Sequence, residues 1–139
     1  MKKREKATKI MSTKLMTINL KEGNLALAKD IMEQNQIRHL PVVSGDKLLG
    51  IISLTDIHRI SYGANYGQEE AVDKAIFDVL SLANVMVHHP TTISPDTTIK
   101  EAAEILGREE FHALPVTEGD KLVGIMTSTD LIKYLLEQY

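Results

Sequence analysis

Apolar and polar positions follow two different periods along the chain, and the periods predict helices and strands in a repeated order. Apolar residues recur every three or four positions over 25–32 and 99–106, which is typical of amphipathic helices. Four shorter apolar runs predict strands at residues 40–43, 48–53, 114–117 and 122–127. Helices mixed with hairpin strands predict an α+β fold.

Local signals mark where these elements begin and turn. Thr98 precedes Glu101 by three residues, which is the spacing of a capping box at a helix start. A Gly-Asp pair separates the strands of each hairpin, with Gly45 or Gly119 at the first central position that a type II′ turn requires. Similar signals start helices near Asn24, at Thr55-Asp56 and at Thr129-Asp130.

The chain contains two copies of this pattern. Met11 aligns with Met86 at an offset of 75, and a one-residue gap opposite Gly23 makes the offset 74. Across residues 40–56 the copies are identical at 11 of 17 positions, which chance does not produce. With a short leading Thr-Ile segment, each copy is predicted to be a β-α-β-β-α repeat.

The repeats define the expected domain organisation. We expect repeats at 8–62 and 83–138, with a connector at 63–82. The connector is predicted to contain a loop at 61–67 and an amphipathic helix over 69–83. One copy alone buries too little apolar surface for a stable domain, so the two are expected to pack about a pseudo-two-fold axis as one module.

Composition removes several classes of function. The net charge is −3 and only six residues are aromatic, which speaks against a duplex-binding or strand-stacking nucleic-acid protein. The absence of cysteine excludes disulfides and thiolate metal sites, and no metal site is predicted. The basic start lacks a following apolar stretch and no apolar run could span a bilayer. We therefore expect a cytoplasmic protein without membrane contact.

The motif that ends each copy carries the candidate chemistry. Gly50–Asp56 and Gly124–Asp130 each place a hydroxyl residue at a strand end and a carboxylate three residues later. One interpretation is helix capping, in which the Ser or Thr is the N-cap residue and the helix dipole favours an acidic residue in the first turn. The other is ligand binding, in which the helix N-terminus attracts phosphate and the Asp accepts hydrogen bonds from a ribose diol. Recurrence of the whole motif favours the second interpretation.

Both copies resemble CBS domains, and the pair resembles a Bateman module. The resemblance rests on the leading Thr-Ile, the Leu-Pro-Val strand, the Gly-Asp hairpin and the end motif, all in the same order twice. It implies a stand-alone, non-catalytic regulatory module that binds an adenosine-containing ligand in the cleft between the repeats. AMP, ADP or ATP is the expected regulatory ligand, with no catalytic cofactor.

The resemblance also implies particular site residues. Asp56 and Asp130 would hold the ribose hydroxyls. Hydroxyls near them would contact ribose or phosphate, at Ser53, Thr55, Thr127 and Thr129. The leading segments would frame adenine, at Thr17, Ile18, Thr92 and Ile93.

Basic residues three positions before each strand proline would contact phosphate in the opposite repeat's site. Asp56 is therefore paired with His112, and Asp130 with Arg38 and His39. A guanidinium is permanently charged and grips phosphate bidentately, so the Arg38–Asp130 site is expected to bind more tightly at neutral pH.

Several alternatives stay open at this stage. The ligand could instead be S-adenosylmethionine, NAD or a cyclic dinucleotide, or the chain could be a structural dimerisation module with degenerate ligand sites. An enzyme is disfavoured because no general base or Gly-rich phosphate loop accompanies the motif. The expected partners are a homodimer copy, through helices 55–61 and 129–138, and an effector protein of unknown identity. The role implied is energy sensing.

Overall fold

The computed structural model describes residues 4–61, 77 and 79–139. The chain divides into two compact units. The first-repeat unit is Met16–His89, and the second-repeat unit combines Met1–Leu15 with Pro90–Tyr139. The predicted loop at 61–67 lies outside the described residues except for Ser61, which is helical, and so does most of the predicted helix over 69–83.

The first-repeat unit has the predicted β-α-β-β-α order. Its elements are β1 (Ile18–Asn19), α1 (Leu25–Gln34), β2 (His39–Ser44), β3 (Lys47–Ser53), α2 (Leu54–Ser61), α3 (Leu82–Val85) and β4 (Val87–His88). Strand β1 runs parallel to β2, whereas β2 and β3 form an antiparallel hairpin and β4 pairs antiparallel with β3. Ser81 is extended and caps α3, so the helix predicted over 69–83 does not continue through Ala83.

The second-repeat unit repeats this plan. Its elements are a short 3-10 helix (Ala7–Lys9), α4 (Ile99–Arg108), β5 (Ala113–Glu118), β6 (Lys121–Thr127) and α5 (Ser128–Glu137). Strands β5 and β6 form an antiparallel hairpin. Ile93 bridges Val116 in parallel, in the place that β1 occupies in the other unit. The fold-class prediction of two β-α-β-β-α repeats is confirmed.

Each unit has its own apolar core. The predicted apolar faces of α1 and α4 are buried, and their innermost residues include Leu25, Met32 and Ala102. Leu40 in β2 and Leu114 in β5 are both fully buried. Consecutive residues of β2 and β5 are buried, so both faces of these strands are covered and both contribute side chains to the cores.

The two hairpins have the same turn. Gly45 has φ +62° and Gly119 has φ +60°, while the Asp that follows each glycine is not among the residues with positive φ. That combination is the type II′ turn predicted from the sequence. Both hairpins also carry a register shift two residue pairs before the turn, between Val42 and Val43 and between Val116 and Thr117.

The leading segment of each repeat packs into the unit built on the other repeat. Ser12, which leads repeat one, exchanges two backbone hydrogen bonds with Ile125 of β6 (2.8 and 3.0 Å). Val87, which leads repeat two, pairs with Ile51 of β3. The glycine of each end motif lies beneath this segment, because a Cβ on Gly50 would meet Val87 and one on Gly124 would meet Met11.

The capping box of α4 makes one contribution to stability depend on pH. The Thr98 N–H and hydroxyl donate hydrogen bonds to the Glu101 carboxylate (3.1 and 3.0 Å) and lower its pKa below the ordinary value of 4.5. The unfolded chain therefore binds this proton first as pH falls, and the contribution is present above pH 4.5 and lost as pH falls through the lowered pKa. In the wild type, the free energy of unfolding should rise with pH through this acidic range. Glu101→Gln removes the titrating carboxylate and is expected to make that rise smaller.

Urea unfolding across a series of acidic pH values measures this effect. Glu104→Gln is the matched control, because Glu104 lies on the same helix and, among the described residues, its carboxylate meets Lys100 alone (3.8 Å). Equal pH slopes in wild type and Glu101→Gln would contradict the assignment.

Candidate functional site

Backbone register brings three kinds of predicted site residue to one end of each unit. In the first-repeat unit, Ile18 pairs with Val42 and His39 pairs with Ser53. Thr17, Arg38 and Ser53 are therefore at the same end of the sheet. In the second-repeat unit the equivalent pairings are Ile93 with Val116 and Ala113 with Thr127.

In the first-repeat unit, Ser53 and Asp56 bond to each other across the start of α2. The Asp56 N–H donates to Ser53 Oγ (3.0 Å), and the Ser53 N–H donates to Asp56 Oδ2 (3.3 Å). The Leu54 N–H donates to the Arg38 carbonyl (2.9 Å), so Arg38 is held beside this helix start. Asp56 Oδ1 lies 4.0 Å from Arg59 Nη1, and the Asp56 side chain is 28% exposed.

In the second-repeat unit, Thr127 and Asp130 form a full capping box. The Thr127 N–H and hydroxyl donate to Asp130 Oδ2 (2.9 and 3.1 Å), and the Asp130 N–H returns to Thr127 Oγ1 (3.3 Å). The Ser128 N–H donates to the His112 carbonyl (2.9 Å). His112 therefore stands where Arg38 stands in the other unit.

Both interpretations of the end motif are compatible with this geometry. The Ser53 and Thr127 hydroxyls cap the helices as the first interpretation requires, and Oδ2 of each Asp accepts a further backbone hydrogen bond. Within the described part of the chain, Asp130 Oδ1 receives no hydrogen bond, and Asp56 Oδ1 meets only Arg59 at the edge of ion-pair distance. One oxygen of each carboxylate is thus available for a ligand hydroxyl.

The hydroxyls of the two motifs differ in what they can still donate. Thr127 donates its hydroxyl proton to Asp130, whereas no described acceptor takes the proton of Ser53. Thr55 and Thr129 are exposed in the first turns of their helices. The Ser53 hydroxyl can therefore donate to a ligand without breaking a bond in its own unit.

The two leading isoleucines belong to the cores. Ile18 is 3% exposed and Ile93 is 5% exposed. The Ile93 N–H donates to the Pro115 carbonyl, and the Ile93 carbonyl accepts from the Thr117 N–H (3.0 and 2.9 Å). Thr92, the neighbour of Ile93, is exposed, and the adenine-framing role of the two segments stays a prediction.

The side chains of the three predicted basic residues differ in their exposure to solvent. Arg38 and His112 are exposed, and His39 is half-buried at the start of β2. Sequence reasoning missed Arg59 beside Asp56, although the three-residue spacing on a helix is a signal for such a pair. It also missed the bonds from Leu54 and Ser128 to the carbonyls of the basic residues, for which the sequence has no signal.

Comparison with known proteins decides the family. The CBS domain family matches residues 7–63 and 82–137, which is most of the chain. The chain belongs to the CBS domain family. As a CBS pair it has the Bateman-module fold that the repeated motifs predicted, and that recognition is confirmed.

Solved CBS pairs share this fold over nearly the whole chain. CBSX2 of Arabidopsis thaliana, in a crystal structure with AMP, is 20% identical with a TM-score of 0.78 over 96% of this chain and 97% of its own. The CBS pair of protein MJ0100, with 5′-methylthioadenosine and S-adenosyl-L-methionine, is 22% identical with a TM-score of 0.72 over 94% of this chain and 98% of its own.

The curated relatives are longer proteins. Inosine-5′-monophosphate dehydrogenase of Korarchaeum cryptofilum is 29% identical over 111 residues, which cover 79% of this chain and 20% of the dehydrogenase. The CBS pair thus spans about a fifth of that relative's length. Of the helices in the described ranges, none has the length and apolar character needed to cross a membrane.

Proposed function

We propose that this CBS pair is a non-catalytic regulatory module that binds adenosine-containing ligands, with AMP or ADP as the first choice. The observation that carries the proposal is the repeated helix start, where one carboxylate oxygen in each unit accepts no hydrogen bond from a described residue and a basic residue lies nearby. A carboxylate oxygen that lacks a protein partner suits the paired hydroxyls of a ribose. Structural relatives crystallised with AMP and with methylthioadenosine or S-adenosylmethionine support the ligand class.

The charge of the site favours few phosphates. Arg38 and His112 lie beside the two helix starts, Arg59 lies 4.0 Å from Asp56, and the net charge of the chain is −3. Each additional phosphate needs compensating positive charge, so a monophosphate or diphosphate is favoured over ATP. The pairing of Arg38 with Asp130 and of His112 with Asp56 stays a prediction.

Regulation follows from linkage. A ligand with different affinities for two conformations of the module shifts their populations, and an effector protein reads the shift. Energy sensing, a homodimer and a cytoplasmic location are parts of the same proposal. The apolar side chains that α5 exposes support a homodimer contact, at Ile132, Leu135 and Leu136.

A structural dimerisation module is the second candidate, and one observation favours it. Asp56 and Asp130 each cap a helix, so helix stability alone is a reason for a CBS pair to keep both carboxylates. The motif would then persist without any ligand. Ligand binding must therefore be measured directly.

Titration calorimetry with AMP, ADP, ATP, methylthioadenosine and S-adenosylmethionine tests the proposal, with GMP as the control for base recognition. We expect saturable binding of at least AMP or ADP, weaker binding of ATP and no binding of GMP. Binding should raise the melting temperature, because a ligand specific to the folded state stabilises it. Absence of binding and of thermal stabilisation by every adenosine compound would favour the structural module.

A further inference from the structure

The segment Glu5–Ser12, called here the strap, is bound along the second-repeat unit. The Ile99 N–H donates to the Glu5 carbonyl and the Ala7 N–H donates to the Thr97 carbonyl, each at 2.8 Å. The Ala7 side chain is fully buried in the core of this unit. The strap is therefore held at both ends, through Glu5 and Ala7 at one and through Ser12 on β6 at the other.

Side chains fasten the strap to α5. The Tyr134 hydroxyl donates a hydrogen bond to Glu5 Oε2, and Lys9 Nζ lies 2.8 Å from Glu5 Oε1. Lys9 Nζ also lies 5.9 Å from the centre of the Tyr134 ring. Tyr134 is 2% exposed and the Glu5 side chain 16% exposed, so the phenol–carboxylate bond is shielded from water.

The helix that holds the strap is also the helix that begins at the candidate site. Asp130 lies in the first turn of α5, and Tyr134 follows it by four residues. Side chains at this spacing lie one above the other on the same helix face. A movement of the first turn of α5 is therefore transmitted to Tyr134 over a single helical turn.

The first-repeat unit has no such fastening at the equivalent positions. The repeat alignment places Ile60 opposite Tyr134 and Leu80 opposite Glu5. The structure supports extending the alignment to these positions, because equivalent residues make the same hydrogen bond. The Met11 N–H donates to the Ala7 carbonyl and the Met86 N–H donates to the Leu82 carbonyl (2.9 and 3.0 Å). Ile60 and Leu80 pack against the core, so the fold itself does not require a polar pair here.

We propose that the Glu5–Tyr134 pair couples the strap to nucleotide binding at Asp130, which makes Tyr134 a positioning residue and the strap the moving element. The inference rests on the proposed function for its ligand. A nucleotide held by Asp130 fixes the first turn of α5 and favours the fastened strap. By linkage, the fastened strap strengthens nucleotide binding by the same factor.

Hydrogen exchange with and without AMP tests the coupling in the full chain. The amides of Ala7, Ser12 and Ile99 report on the strap, and the Thr117 amide reports on opening of the unit itself. We expect saturating AMP to slow exchange at the strap amides by about fivefold or more, beyond any effect at Thr117.

Tyr134→Phe removes the donor and keeps the ring. It is expected to speed exchange at the strap amides by about tenfold. It should also weaken AMP binding several-fold, because linkage makes the effect of the strap on AMP affinity equal to the effect of AMP on the strap. Tyr139→Phe makes the same chemical change at a fully exposed position of the chain and should alter neither quantity. If Tyr134→Phe does not fold, Glu5→Gln weakens the same pair without changing its shape.

The outcomes separate the two proposals. Failure of AMP and the other adenosine compounds to bind the wild-type chain removes the proposed function and this coupling together. AMP binding that leaves strap exchange unchanged, or a Tyr134→Phe variant with wild-type AMP affinity, overturns the coupling and leaves the proposed function intact.

Discussion

Asp130→Ala is expected to weaken AMP binding by roughly 10- to 150-fold, because a hydrogen bond to a charged group contributes about 1.5–3 kcal/mol. The oxygen of Asp130 that receives no hydrogen bond from a described residue is the atom that would accept the ribose hydroxyl. Without the carboxylate, the ribose hydroxyls lose their acceptor inside the site. Titration calorimetry on the wild type and the variant gives the loss directly.

The same substitution has a second effect that must be separated from the first. Asp130 is the third helical residue in the capping box of α5, where it accepts the Thr127 N–H, and loss of a capping interaction costs about 0.5–2 kcal/mol of stability. Glu101→Ala is the matched control, because Glu101 has the same place in the capping box of α4. It should lower stability and leave AMP affinity unchanged. Equal AMP affinity in Asp130→Ala and the wild type would contradict the site assignment.

Asp56→Ala extends the test to the other motif. If Arg38 serves the Asp130 site, Asp130→Ala should remove the tighter class of binding and Asp56→Ala the weaker one, since a guanidinium grips phosphate bidentately. Two-site fitting of the calorimetric titrations distinguishes the classes. If instead Asp56→Ala removes the tighter class, each basic residue contacts the ligand bound at the motif of its own unit, beside which its backbone lies.

The parts of the fold that the sequence predicted are those with local signals. The hairpins were predictable because Gly45 and Gly119 need a positive φ, and the caps because Asn24 and Thr98 stand directly before apolar periodic segments. Helices α2 and α5 begin one residue before the predicted Thr55 and Thr129, a difference within the usual uncertainty of helix ends.

The parts that the sequence could not predict depend on contacts between distant residues. Ser12 pairs with Ile125, and no pattern near either residue indicates the other. The break at Ser81 was hidden because apolar periodicity continues through it toward Ala83, even though Ser81 and Asn84 form a capping box. For the candidate site, the motif residues were predictable from their repetition. The burial of Ile18 and Ile93 was not, because it follows from packing.

The glycines of the two end motifs should tolerate alanine to different degrees. A Cβ on Gly50 would lie 2.6 Å from the Val87 carbonyl oxygen, which β-pairing holds in place. A Cβ on Gly124 would lie 2.5 Å from Met11 Sδ, the flexible part of an unbranched side chain. Overpacking costs about 1–3 kcal/mol, so Gly50→Ala is expected near the upper end and Gly124→Ala near the lower end.

Urea unfolding of both variants measures this difference, and a second substitution identifies its cause. Combining Gly124→Ala with Met11→Ala makes room for the new Cβ, so the two changes should together cost less than the sum of their separate effects. Gly50→Ala with Met86→Ala should gain less from the shortened side chain, because the Val87 carbonyl oxygen still blocks the new Cβ. If both double variants recover the same free energy of unfolding, then backbone and side-chain contacts constrain the two leading segments alike. The expected difference between Gly50 and Gly124 would then be contradicted.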